Sequence, residues 1–273
     1  MRRFRRGLIR GNIRAPFARY ENSEAYRPRE YSIDRLLRWA SGKHQRQMMN
    51  SGKNRTDQKK IADAVLKTHG RLYSEELGID LVKNTPAQLF RWLCASLLFS
   101  ARISSDIAMR AAESILEQGW GSAQKMAESS WTQRTQTLNE AGYARYDEST
   151  SRMLGETAAM LIADYSGDLR KLRARAGNDI GEERRLLKEF KGIGDVGVDI
   201  FFRETQIAWS ELYPFADKKA LMAAKRLGLP ASAENLSVLA GKADFPRLIA
   251  GLVRTSLKND YENVERQAAN FRS

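Results

Sequence analysis

The stretch FKGIGDVGVDIFF, residues 190–202, decides the fold that we expect for this chain. Gly192 and Gly194 flank one isoleucine, and amphipathic segments, RRLLKEF and VGVDIFFRE, lie on either side. Glycine adopts positive φ without strain, so the pattern predicts two helices joined by a very short turn. Uncovered amides at the start of the second helix can bind a phosphate oxygen, and Lys191 adds positive charge beside them. The alternative is that the turn only connects two helices.

Helical periodicity extends over most of the remaining chain. Segment 56–70 begins with a Thr-Asp cap and ends at a glycine, and Pro86 lies in the first turn of a segment capped by Asn84 or Thr85. Apolar residues recur with a 3.6-residue period in many later segments, including 195–206. Alternating β-branched runs and Asn-Gly hairpin turns are missing from the sequence. The sequence therefore predicts an all-α chain of about a dozen short helices.

The cysteine and histidine content excludes several classes of site. A single thiol, Cys94, forms no internal disulfide, no four-cysteine iron–sulfur cluster and no zinc site of cysteines. It lies in the apolar segment LFRWLCASLLFS, so we interpret it as a packed core thiol. His44 and His69 lie in no spacing typical of a metal site or a Ser-His-Asp triad. We expect neither a metal nor a required cofactor.

Positive charge is concentrated at the N-terminus. Residues 1–60 hold 17 Lys and Arg against 5 Asp and Glu, whereas the rest of the chain is almost neutral. A segment this basic favours polyanions such as nucleic acid or an anionic membrane surface. No apolar run approaches the ~20 residues of a membrane span, which predicts a soluble protein without a membrane partner.

Residues 1–55 are interpreted as a basic, poorly ordered extension. Three explanations stay open: a disordered nucleic-acid arm, an amphipathic targeting peptide, or a gene start placed too far upstream. Met48 and Met49 offer internal starts just before a polar stretch. For a bacterial protein we expect the cytoplasm, in association with the nucleoid, while organellar or nuclear targeting by the basic N-terminus stays an alternative.

A loop rich in aromatic residues, LYPFAD, follows the second predicted helix, and its Asp217 precedes the helical segment KKALMAAKRLGL. In this order the chain resembles the helix-hairpin-helix DNA glycosylases, the superfamily that includes endonuclease III, the adenine-mismatch glycosylases and the 3-methyladenine glycosylases. Two earlier segments also resemble the family, LLFSARISSDIAMRAAESIL and LNEAGYARYDESTSRMLGETAAMLI. The resemblance covers roughly residues 57–230.

This resemblance implies an all-α, two-lobed, endonuclease III-like fold with the active cleft between the lobes. Residues 84–210 would form the central lobe, with the hairpin at 186–206, and 56–83 together with 211–273 would form the second lobe. The partner implied is double-stranded DNA with a damaged or mismatched base, bound by a monomer. Family members often hold a monovalent cation at hairpin carbonyls. The iron–sulfur cluster of endonuclease III-like members is not expected, because its cysteines are missing.

Candidate site residues follow from the family positions that they match. Arg102 would fill the gap left by an extruded nucleotide, and Tyr143 would be the wedge that enters the duplex. Tyr213 and Phe215, just before Asp217, are candidates for stacking on the base. Backbone and phosphate contacts with DNA are assigned to a larger set, which comprises Lys191, Gly192, Ile193, Gly194, Asp195, Val196, Gly197, Lys218 and Lys219.

Asp217 is the candidate catalytic residue. Breaking an N-glycosidic bond builds positive charge at C1′ of the sugar, and a nearby carboxylate stabilises that charge and orients or deprotonates water. The alternative is that Asp217 is simply a helix N-cap, where aspartate is common. Bifunctional members carry a nucleophilic lysine four residues after the first hairpin glycine, and this chain has Val196 there.

These features predict a monofunctional DNA glycosylase of base-excision repair, which releases a base with water and does not cleave the strand efficiently. Two alternatives stay open. One is a noncatalytic helix-hairpin-helix protein that binds distorted or abasic DNA. The other is a bifunctional glycosylase and AP lyase that uses a displaced lysine. The identity of the excised base does not follow from the sequence.

Overall fold

The structure is a computed structural model, and it describes residues 54–271. Every regular element among these residues is a helix, which confirms the all-α prediction. Residues 54–69 form α1. Two 3₁₀ helices span Leu81–Lys83 and Ser210–Leu212. The further α-helices, in chain order, are α2 (Tyr73–Glu76), α3 (Pro86–Ser100), α4 (Ser105–Glu117), α5 (Ala123–Glu128), α6 (Trp131–Glu140), α7 (Asp147–Tyr165), α8 (Leu169–Arg175), α9 (Ile180–Leu187), α10 (Asp195–Thr205), α11 (Lys218–Arg226), α12 (Ala233–Ala240), α13 (Phe245–Lys258) and α14 (Tyr261–Ala269).

Side-chain caps determine where α3 and α4 begin. The hydroxyl of Thr85 accepts the amide of Gln88 at 3.4 Å, and Pro86 follows in the first turn, as predicted. Asn84, the other predicted cap, lies outside α3 with a φ of 47°. Ser104 caps α4 through its hydroxyl. The turn between the two helices, residues 101–104, therefore ends at a capped helix start.

The apolar helix α3 lies at the centre of the larger hydrophobic cluster. It packs against α4 and α10, and the indole N–H of Trp92 donates to the carbonyl of Phe201 on α10 at 3.0 Å. Cys94 is buried on the same helix, which confirms its interpretation as a core thiol, and burial raises its pKa. This cluster includes residues from Tyr73 to Leu212.

A second hydrophobic cluster joins α1 to the C-terminal helices α11, α13 and α14. Gly251 allows α13 to approach α1 closely, because a Cβ at that position would lie 2.8 Å from Cγ1 of Val65. The apolar residues Leu236, Leu248 and Val253 pack in the same cluster. Direct packing on α1 thus holds the C-terminal helices in place.

The α2 segment differs from the predicted lobe boundaries. Those boundaries put residues 56–83 with the C-terminal helices, but Tyr73 and Leu77 lie in the larger cluster. Glu204 on α10 supplies the reason, because its carboxylate accepts the backbone amides of Tyr73 and Ser74 at 2.9 Å each. The polar start of α2 is therefore bound to α10. The family-specific arrangement of two lobes stays a prediction.

Candidate active site

A cleft of about 900 Å³ is lined by residues of both hydrophobic clusters. Its walls come from the turn after α3, one face of α10, the start of α11 and the end of α13. The fold therefore brings together segments that are far apart in sequence. Five residues that the sequence singled out for function line this cleft: Arg102, Val196, Asp217, Lys218 and Lys219.

The carboxylate of Asp217 has a defined orientation at the wall of the cleft. Oδ1 accepts the backbone amides of Lys219 at 2.8 Å and Ala220 at 3.1 Å, so Asp217 is the N-cap of α11. Oδ2 accepts a hydrogen bond from Nε of Arg203 at 2.7 Å. The residue is only 5% exposed. The N-cap interpretation is thereby confirmed, and the same side chain also borders the cleft.

Arg203 is a site residue that the sequence analysis missed. It lies in the buried half of α10 and is only 7% exposed, yet it lines the cleft. Nε binds Asp217, whereas neither Nη group has a hydrogen-bond acceptor within residues 54–271. The sequence held one signal for it, the charged pair Arg203-Glu204 at the end of an otherwise apolar stretch. Charges buried in a helix require partners, so this pair indicated a polar contact there.

The rim of the cleft carries uncompensated positive charge. Arg102, Lys218 and Lys219 are exposed, and none of them forms an ion pair within the described part of the chain. The second cleft carboxylate, Asp199, accepts Nη2 of Arg184 at 2.6 Å. Both acids of the cleft are therefore neutralised by arginines, and the free cations at its mouth favour an anionic ligand.

The cleft also carries exposed apolar side chains. Val196 is 59% exposed on the first turn of α10, and Met222 and Leu257 are exposed on the opposite walls. Phe99 and Tyr73 form a T-shaped aromatic pair in the adjoining wall, with ring centroids 5.3 Å apart. Apolar side chains gathered at one concave surface are typical of a binding site for a flat organic group.

The glycine turn before α10 has the backbone geometry that requires glycine. Gly192 adopts a φ of 85°, and a Cβ there would lie 2.6 Å from Sδ of Met153 on α7. Gly194 precedes α10 and provides no side-chain cap. Ile193 between them is buried, whereas Lys191 is exposed. The first amides of α10 therefore have no side-chain acceptor, as an anion-binding helix start requires.

Asp195 adds a carboxylate to this same turn. It accepts a hydrogen bond from Nζ of Lys188 at 2.9 Å and lies 3.7 Å from Arg184. The hydrogen bond from Lys188, followed by its charge and that of Arg184, lowers the pKa of Asp195. Because two cations compensate this carboxylate, the exposed Lys191 leaves the turn with net positive charge.

The loop after α6, the glycine turn and the first turn of α10 meet at the C-terminal end of α3. The hydroxyl of Tyr143 donates to the carbonyl of Leu98 at 3.0 Å. A Cβ built on Gly192 would lie 3.3 Å from Leu97, and one on Gly197 would lie 3.8 Å from Ser100. The loop after α6, the glycine turn and the cleft are thus neighbours around one helix end.

Tyr143 does not occupy the position that a duplex wedge requires. Its side chain is 0% exposed and packs in the larger cluster, and burial raises its pKa to about 12. The wedge assignment is therefore wrong for this residue. The physical reason is that the tyrosine ring is more favourable in the core than at the loop surface once its hydroxyl has a hydrogen-bond partner. Gly142, Ala144 and Arg145 are the exposed residues of this loop.

Tyr213 and Phe215 also lie away from the cleft wall. Tyr213 packs on Phe245 with ring centroids 5.4 Å apart, and Phe215 packs on Phe202 at 5.5 Å. Neither ring lines the cleft. Both rings are half-buried and pack on other aromatic side chains, and their assignment to a base pocket stays a prediction.

Other predictions concern metals, membranes and the N-terminus. Within residues 54–271 no three His, Cys, Asp or Glu side chains gather as a metal site. No helix in this part of the chain is long and apolar enough to cross a bilayer. Of the extension predicted for 1–55, residues 1–53 lie outside the described residues. Residues 54 and 55 belong to α1.

Comparisons with protein families, with curated proteins and with solved structures found no match for this chain.

Proposed function

We propose that this protein is a monofunctional DNA glycosylase that removes a damaged or mismatched base. One observation carries the proposal: a single cleft holds an oriented carboxylate, a cationic rim and exposed apolar side chains. The chain's resemblance to helix-hairpin-helix glycosylases supplies the reaction class. Nucleic acid supplies an anionic backbone for the rim and a flat base for the apolar wall.

Asp217 would act on the sugar. Extrusion of a nucleotide costs a few kcal/mol, which contacts along the DNA backbone offset. Once the sugar lies beside Oδ2, the carboxylate stabilises positive charge at C1′ as the glycosidic bond breaks. Its orientation needs no further adjustment, because two amides and Arg203 already hold it. Arg102, exposed at the same cleft, would fill the vacated position in the duplex.

Val196 supports hydrolysis in place of a lyase reaction. Its side chain is exposed in the cleft, so a lysine at this position would reach the substrate, but valine has no nucleophilic group. Lys218 and Lys219 line the same cleft and keep the displaced-lysine alternative open.

The DNA backbone would bind along the glycine turn. The bare amides of α10 and the exposed Lys191 suit one phosphate, and a monovalent cation at the turn carbonyls stays a prediction from the resemblance. The proposed partner is double-stranded DNA, bound by a monomer. The nucleoid is the corresponding location in a bacterium.

A noncatalytic DNA-binding protein is the second candidate, and a specific observation favours it. Asp217 is almost fully buried and already accepts three hydrogen bonds. Its lone pairs are thus already engaged by protein donors. If substrate does not reach Oδ2, the cleft would only recognise distorted DNA.

Base release separates the two candidates. Duplexes that each carry one damaged or mismatched base are incubated with the protein and then treated with alkali to reveal abasic sites. We expect release from at least one duplex, and Asp217→Asn should lower it by about 100-fold or more because the developing charge loses its counter-ion. DNA binding should persist, since asparagine also caps helices well.

Asp179→Asn is the matched control, because Asp179 caps α9 through the amide of Glu182 at 2.8 Å and lies outside the cleft. Its base release should equal that of the wild type. Tight binding to abasic DNA without release from any duplex would establish the noncatalytic candidate. Efficient borohydride trapping that is lost in Lys218→Met or Lys219→Met would establish the displaced-lysine lyase.

A further inference from the structure

The guanidinium of Arg203 has more donors than its ion pair uses. Nε occupies Oδ2 of Asp217 at 2.7 Å, and both Nη groups lack an acceptor within residues 54–271. The side chain is more than nine-tenths buried and borders the cleft. Both Nη atoms keep some exposure to solvent, so these unused donors are accessible from the cleft. Donors that face an open cleft are satisfied by water or by the acceptors of a bound ligand.

Neutralisation of Asp217 does not by itself explain why its partner is an arginine and not a lysine. Lysine would neutralise the carboxylate as a point charge, whereas arginine adds a planar set of donors that matches two neighbouring acceptors. Asp217 takes only one of these donors. The remaining pair is therefore directed at something other than the carboxylate.

The charges around the cleft indicate what the ligand carries. Four basic side chains line it, Arg102, Arg203, Lys218 and Lys219, against two carboxylates, Asp199 and Asp217. The nearby Glu204 is committed to the amides of α2. A base that already carries positive charge is repelled by this surplus, whereas a base that becomes negative as it departs is stabilised.

We propose that Arg203 is a specificity-determining residue that binds the departing base through its Nη groups. The substrates are then neutral lactam bases, such as uracil or hypoxanthine, whose carbonyl oxygen accepts hydrogen bonds from the Nη groups of Arg203. This inference rests on the proposed glycosylase function and selects one substrate class for the same cleft. It excludes N-alkylated cationic bases as preferred substrates.

The reaction balances without a further reagent. The bond between C1′ and the base nitrogen breaks, and its electron pair moves onto the base and delocalises to the carbonyl oxygen. The Nη groups of Arg203 donate hydrogen bonds to that oxygen and remain protonated throughout. Oδ2 of Asp217 stabilises the cationic sugar, and the oxygen of water bonds to C1′. The proton released by water passes to solvent and then to the base.

Wild-type preference is the first test. Duplexes carrying uracil, 5-fluorouracil, hypoxanthine or 7-methylguanine are compared, with each rate divided by the spontaneous release rate. We expect at least one of the neutral bases to exceed the cationic 7-methylguanine by about 10-fold or more. Preference for 7-methylguanine would overturn the inference and leave the proposed function intact. No release from these or any other damaged base would sink both.

Arg203→Lys is the second test, because it keeps the charge beside Asp217 and removes the fork. We expect uracil release to fall about 100-fold, the size typical of a lost transition-state donor. The loss should be smaller for 5-fluorouracil, a better leaving group that needs less stabilisation. Equal losses for both bases would show a purely structural role and overturn the inference.

Arg134→Lys is the matched control, since Arg134 is also buried and donates to backbone carbonyls of Ser151 and Met126 outside the cleft. It should leave the ratio of uracil to 5-fluorouracil rates unchanged. If Arg203→Lys does not fold, the wild-type preference still tests the substrate class, and preference for 7-methylguanine would still overturn the inference.

Discussion

The two ends of helix α10 differ in almost every physical respect. Its first turn exposes Asp195 and Val196, and Gly194 before it leaves the helix amides uncapped. Its last turns bury Arg203 and Glu204, which are 7% and 0% exposed. One helix thus presents bare backbone to solvent at one end and carries two buried charges at the other.

The difference shows how each end obtains its partners. The buried end finds them within the protein, because Arg203 binds Asp217 and Glu204 accepts two amides of α2. Burial raises the pKa of Glu204, and those amide hydrogen bonds oppose the increase. At the exposed end the first backbone amides have no side-chain acceptor, so they are free to meet a phosphate. We therefore expect changes at the buried end to cost stability, and changes at the exposed end to alter binding.

The largest effect should follow loss of the ion pair. Arg203→Met leaves Asp217 buried without its cation, so the free energy of unfolding should fall by about 3–5 kcal/mol. Denaturant-induced unfolding measures this loss. Combining it with Asp217→Asn in a double-mutant cycle should recover part of the cost, because the uncompensated charge is then absent. Strictly additive losses of stability in this cycle would show that the pair of Arg203 and Asp217 does not stabilise the buried end of α10.

Glu183 tests what happens when a buried carboxyl has no partner. It lies on α9 and is fully buried; neither oxygen accepts a hydrogen bond within the described chain, and the carboxyl of Glu211 lies beside it. Burial, followed by the neighbouring Glu211, raises its pKa to about 8. The folded state therefore holds a proton that the unfolded chain releases above a pH of about 4.5.

Glu183→Gln should accordingly stabilise the protein in a pH-dependent way. Wild-type stability relative to the variant should fall as pH rises from about 4.5 to about 8. At ~1.4 kcal/mol for each pKa unit the whole shift corresponds to about 5 kcal/mol, and above that range we expect the variant to be more stable by roughly 1–3 kcal/mol of it. Thermal unfolding across this range measures the difference, and a pH-independent difference would contradict the assigned protonation.

The smallest effects should be found at the exposed end, where two glycines make a matched pair. Gly192→Ala places a Cβ at positive φ against Met153, so we expect a loss of about 1–3 kcal/mol. Gly194→Ala meets no atom within 4 Å and should cost less than about 1 kcal/mol. Equal losses in unfolding experiments would show that the turn conformation is not what selects glycine.

The accuracy of the sequence-based predictions follows from the range of the interactions involved. The predicted helix at 195–206 nearly matches α10, because its apolar spacing and glycine turn are local signals. The Thr85 cap and the buried Cys94 were also predicted from adjacent residues. Tyr143 was misassigned, since nothing nearby in sequence shows that its hydroxyl meets the carbonyl of Leu98.

By itself, the sequence determined the helices, their caps and the glycine turn, because 3.6-residue periodicity and φ preferences act over a few residues. Only the tertiary structure decided that Arg203 binds Asp217, that Tyr143 is buried, and that α3, α10, α11 and α13 enclose one cleft. Arg203 and Asp217 are 14 positions apart in the sequence, and Tyr143 and Leu98 are 45 positions apart. Such pairs depend on how whole helices pack, which local patterns do not specify.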